Sequence, residues 1–458
     1  MINNKLVQFE NDMKNKKITV IGIGVSNLPL IKYLVSLGAK VTACDKRNAE
    51  KLGETATELS NLGVSLNLGE DYLSDIDAEL IFKTPGMRFD VPELLAAKEK
   101  GSVVTSEMEV FFELCPSKII AVTGSDGKTT TTTLIHNMLC EEGYKTWVGG
   151  NIGNPLLTQV GEMNEDDIVV LELSSFQLHT MKKSPHIAVM TNITPNHLDM
   201  HKDYAEYIDA KKNIMKYQTK DDILIVNSSN DVTEEIGKSA NGKLFEFSSK
   251  KKADISIENE CIYLKDKPIL KLSDIKLPGM HNVENYMAAI GAVRELVSIE
   301  SINNVAKSFG GVAHRIELVR ELDKVRYYNS SIDSSPNRTI NTLKVFPNKL
   351  IMISGGKDKG IEYDEIGPAI IEKVKVLILI GATSDAIENA LDKAYKNQNI
   401  EPCVKVIRAK EYSEAVRLAK ENAEENDVVL LSPASTSFDM FNNFEERGNL
   451  FKKLVNEL

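Results

Sequence analysis

The chain has little with which to build a disulfide framework. Its five cysteines in 458 residues (Cys44, Cys115, Cys140, Cys261 and Cys403) are odd in number and nowhere spaced as CxxC. That argues against paired thiols and against a thiolate zinc site. Long apolar runs are missing too. The longest, such as VLILIGA at 376–382, fall far short of the roughly 18 residues a membrane span needs, so no membrane insertion is expected. The opening MINNKLVQFENDMKNKK lacks the apolar stretch of a secretory signal, which points to a cytoplasmic protein. An excess of positive charge is absent: 55 Lys and Arg against 66 Asp and Glu give a net charge of -11, which disfavours non-specific nucleic-acid binding. No period of 20 to 50 residues recurs, which excludes a solenoid. An anionic ligand must therefore be met by a few placed cations and backbone N–H groups.

What is present is a long alternation of strand-like and helix-like segments, the pattern of parallel α/β units. The length suits about three domains on a prior of roughly 150 residues each. The runs KITVIGIG, AKVTACD, AELIFKTPG and SVVTSE define a first α/β domain over 1–106. KIIAVTG, DIVVLELSS, HIAVMTNIT and DILIVNSS define a second over 107–311, and the polar strands DISIENECIYL and KPILKLSDIKLPG add a small β extension to it. A third alternation, from RIELVREL through KLIMISGG to DVVLLSPAS, covers 312–458. The fold class expected is thus three consecutive α/β domains: Rossmann-like, P-loop-type with a β extension, and Rossmann-like again.

Two glycine turns stand out. TVIGIGVSN places Gly22 and Gly24 between a strand and a helix, and Asp45 ends the next strand 21 residues after Gly24. The third glycine of a dinucleotide fingerprint is replaced by Asn27, so the turn suits either a nicotinamide cofactor or, more broadly, a phosphate group at a helix N-terminus. VTGSDGKTT also follows a strand and opens a helix. Gly124 and Gly127 allow close backbone approach, Lys128 would reach terminal phosphates and Thr129 would face a magnesium ion. Val122 stands where the strict GxxxxGK[ST] pattern has its first glycine. The threonine run at 129–133 belongs to the helix start, where hydroxyls can satisfy free N–H groups.

Glu172 ends an apolar strand, either as a magnesium contact or as a strand-end charge. TNITPNHLDMH carries His197, Asp199 and His201 in a proline-containing loop, open to a zinc pair, a solvent-exposed or hydrogen-bonded pair, or a hard-metal or phosphate contact. YAEYIDAKKNIMKY reads as an amphipathic helix bearing Lys211 and Lys212, by itself a solvated basic face.

The set VTGSDGKTT, GGNIG, ELSSFQL, TNITPNHLD, GMHNVEN, AHRIE and SPASTSFDMFNNFEERG, spread over all three domains, resembles the Mur ligases of bacterial peptidoglycan synthesis. The resemblance implies an ATP-dependent, ADP-forming ligase working through an acyl phosphate. UDP-N-acetylmuramoyl-L-alanine and D-glutamate would be its substrates; a monomer is the default expectation, apart from the resemblance. ATP would meet Gly124, Ser125, Asp126, Gly127, Lys128, Thr129, Thr130, Asn282, Asn285 and Arg315. The UDP-sugar would meet Val25, Ser26, Asp45, Lys46, Arg47, Gly86 and Asn151. Two magnesium ions would be held by Thr129, Glu172, His197 and Lys211, the last as a carbamate, ahead of its neighbour Lys212. Lys128, His197 and Lys211 would be catalytic. D-Glutamate would meet Ser334, Lys359, Ser437, Phe438 and Phe444, core packing being the other reading of the two phenylalanines. Where some relatives have Asn-Asp-Ser-Lys this chain has Asn329, Ser330, Ser331 and Ile332, so it departs at Ser330 and Ile332, with Asp333 the nearest acidic substitute, and GGKDKG leaves Lys357 beside Lys359 as a carboxylate contact. The resemblance also admits a related ligase with another acceptor or amino acid, such as a folylpolyglutamate synthetase type. Outside it stand a nucleotide-binding module without turnover and a dehydrogenase using the first turn.

Overall fold

The computed structural model describes residues 3–458 apart from Val25, Asp75, Asn154, 196–199, Pro278 and 359–361. Two compact units follow one another, Met1–Ser308 and Phe309–Leu458.

The first unit carries two sheets. Strands β1 (Lys17–Ile21), β2 (Lys40–Asp45), β3 (Ser65–Leu68), β4 (Leu80–Lys83) and β5 (Val103–Thr105) form a parallel sheet in the order β3-β2-β1-β4-β5. The second sheet comprises β6 (Lys118–Thr123), β7 (Thr146–Gly150), β8 (Ile168–Glu172), β9 (Ile187–Met190), β10 (Ile223–Asn227), β11 (Lys243–Ser248), β12 (Ile255–Glu258), β13 (Cys261–Leu264) and β14 (Lys267–Lys271). Its order is β14-β13-β12-β11-β10-β9-β6-β8-β7. Pairing is parallel from β7 to β12 and antiparallel from β12 to β14, so the β extension continues the central sheet. The central strands are near-continuous apolar runs, KIIAVT in β6 and IVVLE in β8, because helices cover both faces of a parallel sheet. One buried cluster runs from Ile18 and Leu30 through Phe111 and Leu157 to Leu171 and Met190, which fuses the two sheets into one unit.

The second unit holds β15 (Glu317–Leu322), β16 (Val325–Asn329), β17 (Leu350–Ser354), β18 (Val374–Leu379), β19 (Lys405–Arg408) and β20 (Val428–Leu431), in the order β15-β16-β20-β17-β18-β19. Only β15 is antiparallel to its neighbour. Successive strand residues point to opposite faces. Accordingly Leu350, Met352, Leu377 and Leu379 enter one core cluster, while Ile351, Ile353, Val376 and Ile378 enter another.

Each sheet has a point where strand order reverses, and ligands of open α/β sheets bind beyond the carboxyl ends of the strands at such points. In the first sheet that point lies between β1 and β4, in the central sheet around β6, and in the third around β20. The segments that follow these strands are where the sequence motifs fall. Among the described residues no helix is long and apolar enough to cross a membrane.

Candidate functional site

The loop after β6 leads into the helix Lys128–Glu142, whose N-cap is Gly127 at φ 78, with no side-chain cap. A β-carbon on Gly127 would lie 2.3 Å from Asn285 Oδ1, and one on Gly124 would lie 1.9 Å from Thr191 Oγ1. Both glycines are therefore required by close packing as well as by backbone conformation. The threonine hydroxyls are used differently from the expected N-capping. Thr129 Oγ1 donates to Glu172 Oε2 (2.7 Å), Thr131 Oγ1 to Asn285 Oδ1 (3.3 Å), and Thr133 Oγ1 back to the Thr129 carbonyl (2.8 Å). The helix start keeps backbone N–H groups directed at the loop, the arrangement that suits an anion.

Glu172 closes β8 and is buried. Its Oε1 accepts from Asn151 Nδ2 (2.7 Å) while Oε2 accepts from Thr129, so the strand-end carboxylate faces the loop helix and the GGNIG turn together. Lys128 Nζ donates to the Ser125 carbonyl (2.9 Å). Lys211, on the helix Tyr204–Lys216, is only 2 % exposed. Its Nζ donates to the Gly124 carbonyl (2.8 Å) and to Thr123 Oγ1 (3.3 Å), and lies 4.8 Å from the Tyr207 ring centre. Burial pushes the Lys211 ammonium well below its ordinary range; Lys128 adds to this, while Glu172 and Asp126 oppose it. Lys212 is half-buried, its side chain 42% exposed, and sits 3.4 Å from Asp209, an i,i+3 pair. The geometry thus separates two adjacent lysines that the helix pattern alone leaves equivalent. Lys128, Thr129, Asn151, Glu172 and Lys211 surround one loop.

The remaining loop residues have structural duties as well. Ser125 Oγ lies 2.9 Å from both Tyr207 Oη and the Thr194 carbonyl, tying the loop to the lysine helix. Asp126 N–H donates to Asn192 Oδ1 (3.0 Å). Asn285 Nδ2 donates to Asn282 Oδ1 (3.3 Å), which places both asparagines of GMHNVEN beside Gly127 and Thr131. His197 lies outside the described residues. His201 is buried, with Nε2 2.9 Å from Ser175 Oγ and its ring stacked on Phe176 at 5.1 Å, which favours the hydrogen-bonded reading for that histidine.

At the first glycine turn, Asn27 occupies the place of the third glycine and makes up for it. It is buried and donates to the Ile21 and Gly22 carbonyls at 2.9 and 3.0 Å, binding helix start to strand end. Asp45 accepts from Ile23 N–H (2.7 Å) and from Arg47, whose Nη2 also donates to the Ile23 carbonyl (2.7 Å). Burial works to raise the Asp45 carboxyl, but these hydrogen bonds outweigh it and hold it down to about 2. The Asp45–Arg47 pair is therefore ionised and shapes the turn beside Ser26. Lys46 is exposed next to it, and Val25 lies outside the described residues. Gly86 lines a small pocket with Lys83, Arg88, Phe176, His179 and His201.

In the second unit, Ser331, Ser334, Ser437 and Phe444 follow strands at the reversal point, whereas Lys359 lies outside the described residues. Phe438 is 59 % exposed, which removes core packing as its role. Phe444 starts the helix Phe444–Asn456 and packs edge-on against His314 at 5.9 Å. Lys357 is held by a backbone bridge to Thr436 and is exposed. Arg315 N–H donates to the Val312 carbonyl (3.0 Å) in a tight turn. Asp333 is buried and accepts from Ser432 Oγ (2.8 Å), and burial raises its carboxyl, so its side chain is turned into the unit's own core.

Three residues central to this geometry escaped the sequence reading. Thr191 and Asn192 directly follow β9 and lie against Gly124 and Asp126, and attention to the ends of strands, which selected Glu172, would have selected them also. Arg447 is fully buried, donating to the Ser331 Oγ and carbonyl (3.0 and 2.8 Å) and to the Ser435 carbonyl (3.0 Å). An arginine four residues into a charged helix carries no sequence signal of that burial.

Comparison with known proteins agrees with this arrangement. Three family models match: the Mur ligase MurD-like N-terminal domain over 16–106, the Mur ligase middle domain over 122–293, and the Mur ligase glutamate ligase domain over 314–435. The UDP-N-acetylmuramoylalanine--D-glutamate ligase of Ruminiclostridium cellulolyticum is 54% identical over 100% of both chains. That of Clostridium novyi is 51% identical over 98% of this chain and 99% of its own. Among solved structures, the UDP-N-acetylmuramate-alanine ligase MurC of Thermotoga maritima has a TM-score of 0.56 at 19% identity, covering 96% of this chain and 99% of its own. MurF of Acinetobacter baumannii has a TM-score of 0.52 at 16% identity, covering 99% and 98%; at such identities these two speak for the fold alone. Shared identity above one half along the whole length, with a domain model matched in each of the three sheets' segments, establishes that this chain belongs to the Mur ligase family.

Proposed function

We propose that this chain is an ATP-dependent ligase that joins D-glutamate to UDP-N-acetylmuramoyl-L-alanine, with ADP and phosphate as products, in peptidoglycan precursor synthesis. The full-length relatives carry that activity in their names, and the family uses ATP and magnesium. On this reading, 1–106 receives the UDP-sugar, 107–311 binds ATP, and 312–458 brings the amino acid, in a cytoplasmic monomer.

The observation that carries the reading is the placement of Lys211. Carbon dioxide reacts with a free amine and not with an ammonium, and burial against the Gly124 carbonyl favours the free amine. The carbamate so formed would turn a cation that repels a metal into an anionic oxygen donor. The donor set also fits a hard cation: a buried Glu172 carboxylate and the Thr129 hydroxyl it touches, at the mouth of the glycine loop. Thr129, Glu172, His197 and carbamylated Lys211 would hold magnesium at two sites, and the metal would supply the positive charge that lets a triphosphate and a carboxylate approach.

This chain's own groups do the rest. The N–H groups of the loop from Gly124 to Thr130 cradle the phosphates, and Lys128 neutralises the terminal one. An oxygen of the acceptor carboxylate then attacks the γ-phosphorus in line, and the bond to the β-phosphate oxygen breaks with its electron pair leaving on ADP. The D-glutamate amine attacks the acyl carbon, phosphate departs with the carboxylate oxygen, and the amine loses a proton. Asn282, Asn285 and Arg315 serve the nucleotide. Val25, Ser26, Asp45, Lys46, Arg47, Gly86 and Asn151 serve the UDP-sugar. Ser334, Lys359, Ser437, Phe438 and Phe444 serve D-glutamate, the lysine by pairing with a carboxylate. Because Asp333 faces its own core, the family's acidic contact at Ser330 is left unreplaced.

Phosphate release measured with ATP, the UDP-sugar and a panel of amino acids tests the proposal. Release is expected only with D-glutamate and the UDP-sugar together. Equal release with L-glutamate or a diamino acid would overturn the substrate assignment, and no release with any set would overturn ligase activity.

A further inference from the structure

The site described so far leaves one question open: what holds the turn that carries Gly86, at the end of the first sheet, in register with the helix that carries Lys211, on the central sheet. Both lie in the first compact unit. Two residues after Gly86, Arg88 reaches across to that helix. Its Nη1 and Nη2 donate to Glu206 Oε2 and Oε1, both at 3.0 Å, a two-pronged pair. Nη1 also donates to the Met200 carbonyl (3.2 Å), and Nε and Nη2 donate to Asp90 (2.8 Å each). Every face of the guanidinium is engaged.

Glu206 is fixed from its own side as well. It sits in the first turn of the helix Tyr204–Lys216, takes the Lys202 N–H at 2.6 Å, and has its own N–H capped by Asp203 (2.8 Å). His179 and His201 approach it at 3.8 and 3.6 Å. Arg88 holds the Glu206 carboxyl down to about 2 against burial, which works to raise it, so the pair stays charged at any working pH. Five residues further along the same helix is Lys211. Planar two-pronged pairing fixes orientation as well as distance, which a single surface ion pair does not.

We propose that Arg88 and Glu206 are positioning residues that lock the Gly86 turn to the Lys211 helix, and so set the acceptor carboxylate in line with the phosphoryl-transfer loop. The proposal rests on the ligase reading above. Neither residue touches the reacting atoms. Their effect passes chiefly through the turn to the acceptor, because the nucleotide loop, though tied to this helix through Tyr207 and Lys211, is also held from other elements by Asn285 and Thr191.

The test compares Arg88→Ala, Glu206→Ala, the double variant and Arg88→Lys with the wild type. It reads KM for each substrate, kcat, the melting temperature and calorimetric binding of UDP-N-acetylmuramoyl-L-alanine. Each single alanine variant is expected to raise KM for the UDP-sugar about tenfold and to lower kcat, with KM for ATP within about twofold. The double variant should be no worse than either single, because the two residues act as one contact. Arg88→Lys, which keeps charge but not the fork, should recover part of the loss. Unchanged acceptor KM and kcat would overturn the inference. So would additive losses in the double variant, or a rise in both KM values together with a lowered melting temperature. Failure of the wild type itself to bind the UDP-sugar would instead sink the ligase reading, and this inference with it.

Discussion

Glu107 offers a quantitative test of how the first two sheets are joined. It opens the helix Glu107–Leu114, directly after β5 and the Ser106 cap, and its Oε1 accepts the Leu157 N–H at 2.8 Å inside the shared core. Burial raises its carboxyl from 4.5 to about 7, against the lowering effect of the Leu157 and Leu156 N–H groups. A carboxyl raised in the folded state binds its proton more tightly there than in the unfolded chain. Stability is therefore fullest below about pH 4.5 and falls as pH climbs towards 7, the slope following the excess of protons bound by the native state. At 1.36 kcal/mol per unit, the shift corresponds to a loss of about 3 kcal/mol. Glu107→Gln keeps an oxygen for Leu157 and cannot ionise. Urea unfolding followed by the fluorescence of Trp147, the one tryptophan, reports on this unit because Trp147 lies in β7. Relative to wild type, the glutamine variant should gain about 3 kcal/mol between pH 5 and pH 8, other groups cancelling in the difference. A difference that stays flat over that range would refute the reasoning.

Two further substitutions probe the loop. Lys211→Ala should cut turnover about a hundredfold or more, with partial recovery on adding a small carboxylate such as acetate, whereas Lys212→Ala should leave turnover near wild type; steady-state phosphate release with both variants decides between the neighbours. Gly127→Ala places a β-carbon at φ 78 against Asn285 Oδ1 and should weaken ATP binding. Adding Asn285→Ala should relieve the overlap but not the backbone cost of about 1 kcal/mol, a partial recovery of stability read as melting temperature, because Asn285 itself serves the nucleotide.

The layout of strands, the nucleotide loop and the strand-end Glu172 were legible because each depends on local pattern: an apolar run, a glycine turn and a helix start within about ten residues of one another. Lys211 was legible only through resemblance. Its helix alternates like any solvated helix, and its burial comes from packing against Thr123 and Gly124, 88 and 87 residues away in sequence. The same holds for Arg88 and Glu206, separated by 118 residues, and for Arg447 against Ser331, separated by 116. Each looks like a surface charge until the chain folds and brings its partner. Asn27 shows the reverse. A missing glycine raised a question about packing that a side-chain hydrogen bond answers locally, and no composition rule anticipates it.

The central claim is that one cleft brings two anions together so that a phosphoryl group passes to the acceptor carboxylate before the amine attacks. Oxygen transfer tests it most directly. With UDP-N-acetylmuramoyl-L-alanine labelled with 18O in its carboxylate, mass spectrometry of the released phosphate should find one labelled oxygen in each molecule. Unlabelled phosphate, with both heavy oxygens absent from it throughout turnover, would contradict the account.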